Sequence, residues 1–201
     1  MGQALSFFPT PADDETIYSV CARFHRLAGR RNSECSSTLL LGHAAGGAEI
    51  DLTSGLLRLE EASQAVISCT ESTLRERTVL RSYLPFMSAA RRLQVLAACA
   101  TSSLPLPIRS ERGLTWSCSV LEHQLRACPD CSAEQATSGF AYWVTVHQLP
   151  GVWVCAKHRC MLRSMRRRGQ RTATWATVSG ANFDSYPEPT EELLDALCKI
   201  G

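Results

Sequence analysis

Two short clips of metal-ligating side chains stand out in this chain of 201 residues. Cys128-Pro129-Asp130-Cys131 sets two thiols two residues apart, and Cys155-Ala156-Lys157-His158 repeats the spacing with a thiol and an imidazole, 23 residues beyond the first clip. Two thiols so spaced share one tight knuckle and grip a single ion. The second clip completes a tetrahedral Cys3His set, the ligand number and type that Zn2+ prefers. Four protein ligands leave no position open for water or substrate, so the expected zinc is structural rather than catalytic. The alternative is that these cysteines are small buried hydrophobes without a metal. Cys160 is a fifth thiol close by and a rival for the place of His158. Between the clips, residues 142–154 are apolar and aromatic and suited to packing around the ion, with His147 in a buried orienting role. His123 is a candidate outer partner or a solvent-facing residue, and His25 and His43 read as satisfied polar groups.

Charge is distributed unevenly around the clips. The net charge is only +2, yet residues 135–183 contain no acid while Lys157, Arg159, Arg163, Arg166, Arg167, Arg168 and Arg171 all fall there. A basic cluster beside a zinc site suits a polyanion, and adjacent arginines without a helical stripe suit its phosphate backbone rather than base edges. The tail then reverses sign with Asp184, Glu188, Glu191, Glu192 and Asp195.

Helices must carry these groups. Leu5, Phe7 and Phe8 precede Pro9 and Pro11, which predicts an extended arm over residues 1–12. Asp13 or Asp14 can cap a helix from near Glu15, with Ile17, Val20, Cys21, Phe24, Leu27 and Ala28 as its stripe and Gly29 as its stop. Ser33 is the expected cap of a second short helix ending at Gly42. The pair resembles a helix-turn-helix, and a plain helical hairpin serves as well. A third helix begins around Leu52, Leu56, Leu57 and Leu59 and is read as far as Ile67; residues 70–83 are helix-prone, and Ser88 caps another helix over 89–100. Prolines at 105 and 107 mark a linker at 102–107, and 114–120 reads as a strand. The expected fold is mainly α with a small zinc-stabilised α+β unit. Its parts are the arm, a helical domain (13–101), a zinc-finger domain (112–175) and an acidic C-terminal tail or helix (176–201).

Composition narrows the function classes. With 45% hydrophobic and 20% charged residues the chain reads as an ordinary globular protein. Ten cysteines suggest a secreted disulfide scaffold, but residues 1–11 have neither the basic nor the apolar region of a secretory signal, which points to a cytoplasmic protein with reduced thiols. Met1–Ser6 matches the N-myristoylation pattern, a short motif often met by chance. No run approaches the roughly 18 apolar residues of a membrane span. The chain has no P-loop, no G-x-S-x-G and no acidic triad for two metal ions, which argues against an enzyme.

Three blocks carry a family resemblance. Phe8-Pro9-Thr10-Pro11 with Asp14-Glu15-Thr16-Ile17-Tyr18-Ser19 and Arg23, then Glu76-Arg77-Thr78-Val79-Leu80 with Tyr83-Leu84-Pro85-Phe86, resemble the TniQ/TnsD family of transposition target-selection proteins. The most specific block is Leu125-Arg126-Ala127-Cys128-Pro129-Asp130-Cys131, then Tyr142-Trp143, His147-Gln148-Leu149-Pro150-Gly151-Val152, Cys155 and His158. The resemblance spans about residues 5–162 in order and spacing. It implies a non-enzymatic adaptor that recognises a target, as DNA directly or through a CRISPR effector, and recruits an AAA+ ATPase of the TnsC type. By the same resemblance Leu5, Phe7 and Phe8 would engage the ATPase, and Cys128, Cys131, Cys155 and His158 match the family's zinc ligands. Many members run to about twice this length, so the chain is read as a short-branch member or a truncated form. Arg159-Cys160 also stands where a glycine commonly follows the ligand histidine. A stand-alone zinc-finger or helix-turn-helix DNA-binding regulator is the alternative reading.

Overall fold

The structure, a computed structural model, describes residues 5–48, 53–101, 124–166, 174–184 and 189–200. Helix α1 (Ile17–Leu27) is the centre of the molecule, buried without a break from Ile17 to Phe24 and exposed in its last turn. Its cap is Thr16, whose Oγ1 accepts from the Ser19 amide at 3.1 Å, and not Asp13 or Asp14 as the sequence suggested. Asp14 is engaged elsewhere. Its carbonyl takes the Thr145 amide at 2.8 Å and its carboxylate the Tyr142 hydroxyl at 2.8 Å.

Chain segments far apart in sequence close around α1. Glu15, fully buried, pairs with Arg23 (Nε to Oε1 2.9 Å, Nη2 to Oε2 3.0 Å) and accepts from the Ser19 hydroxyl and the Ala12 amide. Arg23 also reaches the Thr10 carbonyl at 2.8 Å and stacks 3.7 Å from the Phe140 ring centroid. Burial pushes the Glu15 carboxyl above its ordinary value; the Ser19, Ala12 and Arg23 contacts oppose the rise. Breaking such a pair by removing one partner strands a buried charge, at a cost of about 3–5 kcal/mol. Arg77 adds a clamp on the Ala12 and Glu15 carbonyls. On the other side, the Trp143 carbonyl takes the Thr16 amide at 3.0 Å, the Trp143 amide donates to the Ser19 hydroxyl at 3.1 Å, and the Tyr18 hydroxyl bonds the 174–176 backbone. Ile17, Leu41, Leu80, Trp143, Trp175 and Val178 therefore share one hydrophobic core.

The other helices follow from their terminators. Helix α2 (Ser33–Leu41) is capped by Asn32, whose side chain accepts from the Glu34 and Cys35 amides. Ser33, the expected cap, accepts from the Trp175 amide instead, at 3.3 Å. Gly42 ends α2 at φ +80°. Helix α3 (Leu56–Ala62) starts after Gly55, where φ is +75° and a Cβ would sit 2.1 Å from the Leu41 carbonyl oxygen. It stops short of Ile67 because Gln64 and Ala65 turn left-handed, at φ 55° and 63°. Helix α4 (Glu71–Arg77), capped by Thr70, gives way to short 3-10 turns at Val79–Ser82 and Leu84–Phe86, and helix α5 (Ala89–Thr101) follows Ser88. The linker at 102–107, the strand at 114–120 and His123 lie outside the described residues. No helix among the described residues is long and apolar enough to cross a membrane.

Beyond them, strand β1 (Arg126–Ala127) pairs antiparallel with β2 (Arg163–Ser164), and helix α6 (Pro129–Thr137) leaves β1 directly. Helix α7 (Thr145–Gln148) and helix α8 (Glu191–Ile200) complete a mostly helical fold with a small sheet. Residues 182–184 run beside β2, with the Arg166 amide on the Asn182 carbonyl and the Asp184 amide on the Ser164 carbonyl.

Candidate metal centre

Both clips are held by backbone. Cys128 is the N-cap of α6, its sulfur accepting from the Cys131 amide, and Pro129 fits the first helical position because an amide there has no partner to lose. Cys155 and His158 form the turn of a hairpin closed by Cys155 N to Cys160 O at 2.9 Å and Leu162 N to Trp153 O at 2.9 Å. The turn leaves Arg159 left-handed, at φ 50°. A glycine adopts that conformation without the roughly 1–2 kcal/mol penalty of a Cβ, which gives a physical reason for the glycine that the resemblance leads one to expect here.

The four ligand atoms converge within 4.8 Å of one another. Nδ1 of His158 lies 3.4, 3.3 and 3.7 Å from the sulfurs of Cys128, Cys131 and Cys155, and the Cys131 and Cys155 sulfurs are 3.6 Å apart. A tetrahedron with metal–sulfur bonds of about 2.3 Å and a metal–nitrogen bond of about 2.0–2.1 Å has edges of roughly 3.6–3.8 Å, so the side chains fit such an ion. Cys160 lies 3.3 Å from Cys128, but it groups with Cys128 and Asp130 rather than with the other three ligands.

Burial alone would raise the Cys155 thiol; amides of His158 and Lys157 and the Cys131 and His158 side chains outweigh it, holding the thiol below its ordinary value. Burial, reinforced by negative neighbours, pushes up the thiols of both Cys131 and Cys160, so it is the place of Cys160 rather than its proton that sets it apart from the ligands. The far nitrogen of His158, Nε2, meets Glu134 Oε1 at 3.1 Å, a carboxylate–histidine pair that turns Nδ1 towards the sulfurs. Glu134 also contacts Lys157, so one carboxylate on α6 holds two residues of the second clip. Nothing in the spacing of the clips singled out Glu134; the signal was its place one helical turn beyond Cys131, on the ligand face.

Framing residues explain the rest of the most specific block. Gln148, buried, accepts from the Arg126 amide and donates to the Arg126 and Val144 carbonyls, acting as a side-chain strand along β1. Arg126 crosses to the Leu149 and Val152 carbonyls and sits 5.0 Å from the Trp153 ring centroid. His147 is buried on α7, and that burial lowers it to about 4; the contact orienting His158 comes from Glu134.

Residues 6–162 match the TniQ family model, a span running from the arm through both clips. The chain belongs to the TniQ family. The search of curated proteins returned no match. TniQ proteins are generally non-catalytic adaptors, and membership gives this chain a role associated with transposition.

The remaining candidate residues of this TniQ chain divide between its surfaces. Arg163 is exposed on β2, and Arg166 just beyond it pairs with Asp184 at 2.8 Å; Arg167, Arg168 and Arg171 lie outside the described residues. In the arm, the Leu5 amide bonds the Ala62 carbonyl, and the Phe7 and Phe8 rings both rest on Phe24, at 5.4 and 5.7 Å between centroids. Phe8 is half-buried, whereas Phe7 keeps 43% of its surface exposed. A cleft of about 650 Å³ runs beside the metal centre, lined by Val146, His147, Trp153, Lys157 and Leu197 among others.

Proposed function

We propose that this protein is a non-enzymatic adaptor that links a target site to the TnsC-type AAA+ regulator of its transposon, in the cytoplasm. The target is DNA, or an RNA-guided CRISPR effector already seated on it. The observation that carries the reading is the family match, continuous from the arm to the second clip. Zn2+ held by Cys128, Cys131, Cys155 and His158 would supply rigidity rather than chemistry, since four protein ligands close the site. Phe7, exposed at the protein's edge yet pinned on Phe24, suits the ATPase-facing role of Leu5, Phe7 and Phe8. The basic residues Arg163, Arg166, Arg167, Arg168 and Arg171 would contact phosphates.

A pull-down of the AAA+ protein encoded beside this chain, with ATP and DNA present, tests the adaptor role. Retention of the ATPase is expected. Failure to retain it, together with sequence-specific binding of genomic over random DNA in a gel shift, would replace the adaptor with the stand-alone regulator.

A further inference from the structure

The acidic tail returns to the basic surface. Asp184 pairs with Arg166, and Asp195 on α8 pairs with Arg159, so two arginines of the acid-free window are neutralised by acids from beyond it. The two contacts differ in how firmly they are held. Asp184 is tied in place by the backbone bonds of 182–184 to 164–166 and is largely sheltered. Asp195 and Arg159 are each more than half exposed, and α8 otherwise approaches this region through Leu197 at the edge of the cleft lined by Trp153, Val154 and Ala156. Exposed pairs of this kind are weak and are screened by salt, whereas a polyanion offers many charges at once and gains from releasing its counterions.

We propose that α8 is a built-in competitor for the basic surface beside the metal centre, and that a nucleic-acid backbone must displace it to bind there. This rests on the phosphate-contacting role of that surface. Arg159 is occupied in the unbound protein and becomes available when α8 lifts; the segment 182–184 stays paired with β2. The device sets a threshold: short or isolated phosphates leave the helix seated, and a duplex long enough to cover the surface removes it.

Fluorescence anisotropy with a random-sequence DNA duplex over a salt series tests this on the full chain carrying Glu191→Gln, Glu192→Gln and Asp195→Asn. The control carries Glu34→Gln, Glu61→Gln and Glu76→Gln, the same change of net charge on other helices. The tail variant should bind roughly threefold to tenfold more tightly than the control, with a salt slope steeper by about one for the arginine released. Hydrogen exchange of α8 amides in the unmodified protein should speed up on adding the duplex. Equal affinity of the two variants, or α8 amides no faster with DNA, overturns the competitor role. Arg163→Gln with Arg166→Gln separates the two ideas. If that pair binds DNA as the unmodified protein does, with an unchanged salt slope, the surface is not a phosphate surface and the competitor role falls with it. If the pair weakens binding but the tail variant matches its control, only the competitor role falls.

Discussion

Glu134 joins the two clips that bind the candidate ion, accepting from His158 and Lys157 across the centre. Partners of this kind typically govern metal affinity by about 10–100-fold. Glu134→Ala should therefore lose metal in that range in competition with a chelating dye, and Glu134→Gln, which keeps an acceptor oxygen, should lose less. The fifth thiol gives a sharper test of the ligand set. His158→Ala should lower the zinc content of the purified protein well below one equivalent, while Cys160→Ser retains it, because Cys160 contacts Cys128 but not the whole ligand group. Elemental analysis reads both, and the reverse pattern would hand the fourth position to Cys160. The clips themselves were legible in sequence because ligand spacing is local. Glu134 was not, because its value depends on where a hairpin formed by later residues comes to rest.

At the level of elements, the sequence marked most helices and placed their ends imperfectly. Gly42 and Ser88 signal ends that depend on local backbone alone. The cap of α1 moved from Asp14 to Thr16 because Tyr142 and Thr145, about 130 residues away, take up Asp14. The arm carries a prediction of its own. Phe7→Ala with Phe8→Ala removes two rings from Phe24, each only partly buried, so each should cost about 1–3 kcal/mol rather than the 3–5 of a fully buried ring. Melting should fall accordingly, and ATPase recruitment measured in the cold should be lost; a folded double variant that still recruits would remove the arm from the partner surface. Helix α7 brings a pH dependence. Burial holds His147 near 4, below the usual 6.5, so its stability contribution is complete above about pH 6.5 and declines as pH falls towards 4. The loss over that window is on the order of 3 kcal/mol, and His147→Gln should flatten that part of the stability profile in urea titrations.

On the scale of the whole molecule, a bound metal should matter beyond its own small cluster of Cys128, Cys155 and Leu162, because Leu125 and Ala127, which lead into the first clip, belong to the core of α1. Chelation should speed hydrogen exchange not only in α6 and α7 but also in Thr16–Val20, whose partners are Trp143 and the 174–176 backbone. Mass spectrometry of peptic fragments checks this; an α1 that stays protected without metal would mean that the helical part stands alone. The continuity of that core was hidden in sequence, since Trp143 and Trp175 are separated from α1 by more than a hundred residues. The buried Glu15–Arg23 pair bears finally on biosynthesis. Glu15 is enclosed partly by backbone at 143–145, and α1 is completed by residues up to 176, so α1 leaves the ribosome well over a hundred residues before the last of its surroundings. At about 5–20 residues per second, the nascent helix waits on the order of ten seconds with a charged pair and an apolar stripe in water. That interval is the natural window for a chaperone, and both clips emerge within it, ahead of the 174–176 backbone that closes on Tyr18.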